Sequence, residues 1–353
     1  MVVAPVLLTL GLGLGTAMLA ATPAAAPAAP RAISPSGPHP AVRETRPPVE
    51  EDVDTVTVRL ENDVLSGSDS NYSSGAALTL TREGRGPLGR IWGWLGAADG
   101  RLISSYELGQ LIVTPADITR PVPDPADRPY AGLLYLALST QRVRGHRFDG
   151  LKLVAGVVGP ASLAAHTQKQ IHRWTGSLMP QGWDSQLKNE PILNAVYEHR
   201  QRHTLLDSES GWSVEAIPRA GGMLGNVLVQ AQVDGQIRLG YNLPDDFGRT
   251  LIRGLGNLPF PLPRPGTGSH RFGAYAFASG GANLVARNLT LDGNTFRDGP
   301  RVEKIPLFPA GEVGVSVWTS SFEATVSYVF WGREYDTQAK ASRFGTATIS
   351  FRF

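Results

Sequence analysis

Gln168 and His172 are four residues apart in a stretch, Ser162 to Thr175, whose composition predicts a helix, so their side chains would share one helical face. Imidazole is the side chain best matched to proton transfer near neutral pH, which makes His172 a candidate general base. By residue type alone it could equally be a loop histidine with no part in chemistry, one of 7 in the chain. Asn62 and Asp63 are a second candidate pair. They close a run in which Thr55, Thr57, Arg59, Glu61 and Asp63 alternate, which puts Asp63 on the polar, inward face. A carboxylate with carbonyl oxygens nearby suits Ca²⁺, and such an ion could polarise an ester carbonyl. Asn and Asp are also common where strands end, and on residue types alone this turn-cap reading prevails.

The elements that must hold these residues read as strands. At the C-terminus Ala347, Ile349, Phe351 and Phe353 alternate with Thr348, Ser350 and Arg352. Before them Phe322, Ala324, Val326, Tyr328 and Phe330 alternate with Glu323, Thr325 and Ser327. Similar runs cover 55–63, 73–82, 102–113, 130–142, 150–158, 192–203, 212–224, 229–241, 270–280, 311–318, 322–331 and 343–353. That makes about twelve, an even number as bacterial barrels require. Trp318, Tyr328 and Trp331 near strand ends fit an aromatic girdle, and a terminal Phe353 resembles the closing residue of an outer-membrane strand. The fold expected is all-β: a transmembrane antiparallel β-barrel over 55–353, with long loops carrying short helices. Long connections fall at 159–191, 244–269 and 290–309, and only the first concentrates His, Gln and Trp.

Composition agrees with export. Val6 to Ala20 is apolar and Ala24-Ala25-Ala26 forms a small-residue cleavage pattern, so residues 1–26 read as a signal peptide, although no basic residue precedes the apolar stretch. Residues 27–54 are Pro- and Ala-rich, which predicts a disordered linker. A mean hydropathy of −0.11 would suit a soluble protein. It does not exclude a barrel, where lipid-facing and lumen-facing residues alternate and average out. Cysteine is absent, which removes disulfides and thiolate metal sites. With 33 basic and 31 acidic residues there is no nucleic-acid footprint.

The motifs then fall into an order that resembles the lipid A 3′-O-deacylases of the bacterial outer membrane. They are Glu61-Asn62-Asp63, Tyr72-Ser73-Ser74-Gly75, Leu108-Gly109-Gln110 with Thr114-Pro115, and Asp127-Arg128-Pro129-Tyr130-Ala131-Gly132. Gly159-Pro160, Gln168 with His172 and Gly176, and Gly182-Trp183-Asp184 with Gln186-Leu187 follow. The resemblance covers most of the chain after the linker. It implies a calcium-dependent ester hydrolase acting on lipopolysaccharide, with His172 activating water, Asn62, Asp63, Ser73 and Gln168 in the site, and Asp63 on the metal; separately, a monomer is expected. It also sets Arg120 near a basic position suited to a lipid A phosphate. Asp127 to Gly132 is read as structural, an Arg–Asp pair in the lumen beside a tight strand entry.

One departure stands out. Some members of the family carry an acidic residue six positions after the histidine, and this chain has Leu178. Asp184, Glu190 or backbone oxygens would then have to complete a calcium site. Three other readings compete. An outer-membrane phospholipase would use Ser73 as nucleophile and pass through an acyl-enzyme. A barrel that kept the fold without catalysis would carry the same motifs, though twelve strands leave too narrow an interior for an open pore. A soluble periplasmic β-sandwich would need no detergent.

Overall fold

A computed structural model describes residues 54–62, 71–97, 99–248, 254–262 and 272–353. The expected signal peptide, nearly all of the expected linker, and Asp63 lie outside the described residues. Among the described residues the chain runs as β1 (Asp54–Asn62), β2 (Asn71–Glu83), a short helix α1 (Arg90–Trp94), β3 (Arg101–Thr114), β4 (Ala131–Arg144) and β5 (Arg147–Val158). Helix α2 (Ala164–Thr175) precedes β6 (Glu190–Gln201), β7 (His203–Asp207), β8 (Trp212–Gly225), β9 (Leu228–Tyr241) and β10 (Phe272–Asn288). A one-turn helix α3 (Leu289–Asp292) leads to β11 (Leu307–Thr319), β12 (Phe322–Trp331) and β13 (Ser342–Arg352).

Apart from β6 and β7, every strand pairs antiparallel with its neighbours in sequence, and β1 pairs with β13. Strands β6 and β7 both pair with β8, at Asn194–Arg200 and then at His203–Asp207. They are successive lengths of one wall strand, so the thirteen labelled segments make a closed barrel of twelve strands. This is the count the alternation predicts.

Side-chain period explains the closure. On β1, Thr55, Thr57, Arg59 and Glu61 are buried in the lumen while Val58 and Leu60 are exposed outside. Val313, Val315, Val317, Val326, Ile349 and Phe351 are likewise exposed, forming the apolar outer band that lipid requires.

The middle of the lumen is filled. Glu107 accepts from Lys152 Nζ at 3.0 Å and from the Tyr135 hydroxyl at 2.8 Å, with Arg59 3.8 Å away. Buried charge of this kind is tolerable only when paired and hydrogen-bonded. Residues 254–262 supply the remaining partners. Lys152 donates to the Asn257 carbonyl at 2.9 Å, Arg59 to the Gly254 carbonyl at 3.2 Å, and Gln141 to the Pro259 carbonyl at 2.7 Å. Leu258 packs with Phe148 and Phe247. Residues 254–262, within the connection read from sequence as a long loop at 244–269, therefore fold inward and plug the barrel.

The strand order also sorts the connections. The end where β1 finishes, here the loop end, carries 115–130, 159–189, 289–306 and 332–341. The opposite end carries the tight turns at 145–146 and 320–321. It also carries two long connections, 84–100 and 242–271, so length does not divide the ends as cleanly as expected.

Candidate active site

The connection from β5 to β6 doubles back onto the outside of the barrel at the loop end. Gln110 on β3 donates to the Ser162 carbonyl at 2.7 Å, and Ser162 Oγ donates to the Gly159 carbonyl at 2.6 Å. Ala164 is buried against Ile112, Ile118, Tyr130 and Trp183. Ile112 follows Leu111 and precedes Val113, both of which face the lumen core, so this second cluster lies on the outer wall.

Gly132 makes that docking possible. A Cβ placed there would be 2.3 Å from Ala164 Cβ and 2.3 Å from Ser162 Oγ, so only glycine lets the helix approach β4. The sequence reading of Gly132 as a tight strand entry missed this purpose. At the other end of α2, Gly176 takes φ +72 and ends the helix in the left-handed conformation that glycine adopts without cost.

Gln168 and His172 occupy α2 as the spacing predicts. Gln168 is buried, and its Oε1 accepts from Trp183 Nε1 at 2.7 Å; Trp183 in turn packs on Tyr130 with ring centroids 4.9 Å apart. Gln168 Nε2 is buried with no hydrogen-bond partner. His172 is half-buried, and its Nδ1 lies 2.5 Å from the Leu178 carbonyl oxygen. A carbonyl can only accept, so Nδ1 carries the proton in this bond and Nε2 of the neutral ring keeps its lone pair. Leu178, noted as a departure because its side chain is not acidic, thus acts through its backbone and selects the tautomer a general base needs. The exposed side of this segment is amphipathic: Leu163, Ile171, Trp174 and Leu178 face outward beside His166, Arg173 and Thr175. Such a surface suits the boundary between lipid and water.

Asn62 lies on the outward row of β1. In register it pairs with Ser74, Ser74 with Ile112, and Ile112 with Gly132. Directly opposed residues share a face, so Asn62 stands at the same level of the outer wall as the docking point of α2. Ser73 is skipped in the pairing of β2 with β3, where Tyr72 opposes Val113 and Ser74 opposes Ile112. It is the extra residue of a β-bulge, a device common beside active sites.

Arg120 stands apart. Its guanidinium pairs with Asp124 at 3.2 Å, both side chains being half exposed, and none of the other candidates is its partner. Its backbone carbonyl is close to Gly182, next to Trp183, so its loop borders the site while its charge points elsewhere. The Arg–Asp pair expected within 127–132 is not formed. Arg128 reaches Glu334 at 3.0 Å, whereas Asp127 accepts from Tyr335 at 2.5 Å. Burial, with this bond second, pushes the Tyr335 phenol up from its ordinary value.

For calcium, the described residues offer little. No group of three or more His, Asp or Glu among them could hold a metal. Asp184 is exposed, and Glu190 is engaged by the Thr295 amide at 2.9 Å and hydroxyl at 2.8 Å.

Comparison with known proteins then decides the family. A family model described as outer membrane protein LpxR matches residues 12–353. The chain belongs to that family. No curated protein sequence matches it. Among solved structures, LpxR from Salmonella typhimurium superposes with a TM-score of 0.70 at 18% identity, covering 85% of this chain and 100% of that one. The beta domain of the Bordetella autotransporter BrkA follows at TM-score 0.39 and 11% identity, covering 85% and 98%. The translocator domain of NalP from Neisseria meningitidis gives 0.37 at 9%, covering 86% and 88%. The LpxR match bears out the twelve-stranded barrel and the resemblance read from the motifs, and places the protein in the bacterial outer membrane. In such barrels the longer loops tend to face the cell exterior, and the end that carries α2 has four connections of ten residues or more against two at the other.

Trp183 was legible only as part of a motif; its partnership with Gln168 was not. Trp183→Phe should leave Gln168 Oε1 buried without a donor, a cost of about 1–3 kcal/mol. Amide exchange across α2 should accelerate in this variant while the strands keep their protection. Unchanged exchange in α2 would show that the bond does not hold the helix.

Proposed function

We propose that this LpxR-family barrel is an ester hydrolase that removes the 3′-linked acyloxyacyl group from lipid A of lipopolysaccharide. The observation that carries the proposal is the His172 geometry: an imidazole fixed through Nδ1, with Nε2 free, on a helix docked outside the barrel at the outer rim. An acylated lipid in the outer leaflet would meet that surface without leaving the membrane.

The chemistry balances with water alone. His172 Nε2 takes a proton from water as its oxygen attacks the ester carbonyl, and the protonated imidazole returns the proton to the departing alkoxide when the C–O bond breaks. Gln168 Nε2 is a candidate donor to the carbonyl oxygen as it gains charge. Asn62, at the same level of the wall, is a second polar group on that face. Arg120 keeps its proposed role of meeting a phosphate only if it exchanges Asp124 for the substrate.

Calcium is part of the proposal, with Asp63 as its anchor; when bound it would polarise the carbonyl. The described residues do not assemble a site for it, so no step above depends on it. Chelation by EGTA should abolish release of the acyloxyacyl group by purified protein, and added Ca²⁺ should restore it; activity indifferent to EGTA would remove the metal from the account.

The bulge at Ser73 supports a second reading, in which a serine nucleophile passes through an acyl-enzyme as in outer-membrane phospholipases. Quenched turnover with lipid A separates the two. An intact protein carrying one acyl group, absent in Ser73→Ala, would favour the nucleophile, and unmodified protein throughout favours water.

A further inference from the structure

Above the plug, at the loop end of the lumen, the barrel holds a space lined mainly by apolar side chains, with Gln230, Gln232 and Asn283 beside them. It is a cavity of about 100 Å³ with Leu111, Leu133, Val285 and Phe308 among its walls and Leu255 of the plug below. Small apolar voids of this order take up small hydrocarbons, as an engineered cavity of about 150 Å³ takes up benzene.

One polar group on its lining is incompletely satisfied. Arg128 is 3% exposed; Nη1 donates to Glu334 at 3.0 Å and Nη2 to Thr290 Oγ1 at 3.2 Å, while Nε is buried and has no partner. A buried N–H without an acceptor costs free energy, and a ligand oxygen placed there would recover it. The sign of the charge narrows the ligand. Arg128 and Glu334 already neutralise each other, so a carboxylate entering beside them would be a third, uncompensated charge.

We propose that the upper lumen is a binding site for a neutral acyl group: a short alkyl segment in the cavity, with an ester or amide carbonyl accepting from Arg128 Nε. This site is inside the barrel, separate from α2 on the outer wall, and does not depend on the hydrolase reading.

The test is crystallography of the full chain soaked with a short ω-bromo fatty acid methyl ester, and separately with the corresponding free acid, at neutral pH. The proposal expects bromine anomalous density between Leu133 and Phe308 for the ester and loss of that peak for the acid. It also expects the peak to vanish in Leu228→Phe, which grows a side chain into the cavity from its lining. Because Leu228 is only partly buried, this variant should keep the fold, and its own crystal structure checks that; Val285→Phe serves if it does not. Ordered water alone in the cavity, bromine only on the outer wall, or equal peaks for ester and acid would each overturn the proposal.

Discussion

A His172→Ala variant should fold, insert and lose deacylation by about 10²–10⁴-fold, the usual contribution of a positioned general base. The loss should fall on kcat rather than on KM, because in the proposed reaction the imidazole would act on water and hold no part of the lipid. Folding should survive for a local reason. His172 is half-buried, the side-chain bond recorded for it is to the Leu178 carbonyl, and Ala is the better helix former at that position. Turnover by purified protein on lipid A, read as released acyloxyacyl acid, measures it. A variant that retains the parent rate would mean that another group takes the proton.

Gly132→Val should have an effect of similar size from a residue with no polar side chain. Valine is a favourable strand residue, so β4 and the barrel should form. Its Cβ, however, would fall 2.3 Å from Ala164 Cβ and from Ser162 Oγ, closer than van der Waals contact permits. Either the helix moves outward or the strand does, and the strand is held by β3 and β5 on both sides. The helix therefore yields, carrying Gln168 and His172 with it. A displacement of about 1 Å of catalytic groups costs on the order of 10² in rate. The variant should run as a compact barrel on unheated gels and melt near the parent while its activity collapses. Pairing Gly132→Ala with Ala164→Gly, which removes one of the two clashing atoms, should recover part of the rate. Full activity in Gly132→Val would show that α2 does not need its seat on the outer wall.

How much of this could be read from residue order follows from where the signals are local. Lumen and lipid alternate along each strand, so Thr55, Thr57, Arg59 and Glu61 against Val58 and Leu60 is a two-residue pattern that needs no tertiary knowledge. The Gln168–His172 spacing is local in the same sense. The plug is not. Its anchors are backbone carbonyls of Gly254 and Asn257, reached by Arg59 and Lys152 from 195 and 105 residues away, and a carbonyl carries no residue type. The Leu178 contact was hidden for the same reason: the side chain announced a departure while the main chain supplied the bond. Arg128 shows a further limit, since the acidic neighbour at 127 invited a pairing that Glu334, 206 residues on, makes instead.

The barrel also explains why the candidate site is on the outside. A lumen closed by 254–262 and by the Glu107–Lys152 pair has no room for a lipid of several chains, whereas the outer wall near α2 presents Leu163, Ile171, Trp174 and Leu178 to the bilayer rim.

The most direct test of lipid A deacylation by His172 is mass spectrometry of lipid A from cells expressing this chain or its His172→Ala variant, with both proteins shown to be inserted. The account predicts loss of one 3′-acyloxyacyl unit with the parent chain and full-length lipid A with the variant. The same unmodified species from both would contradict it.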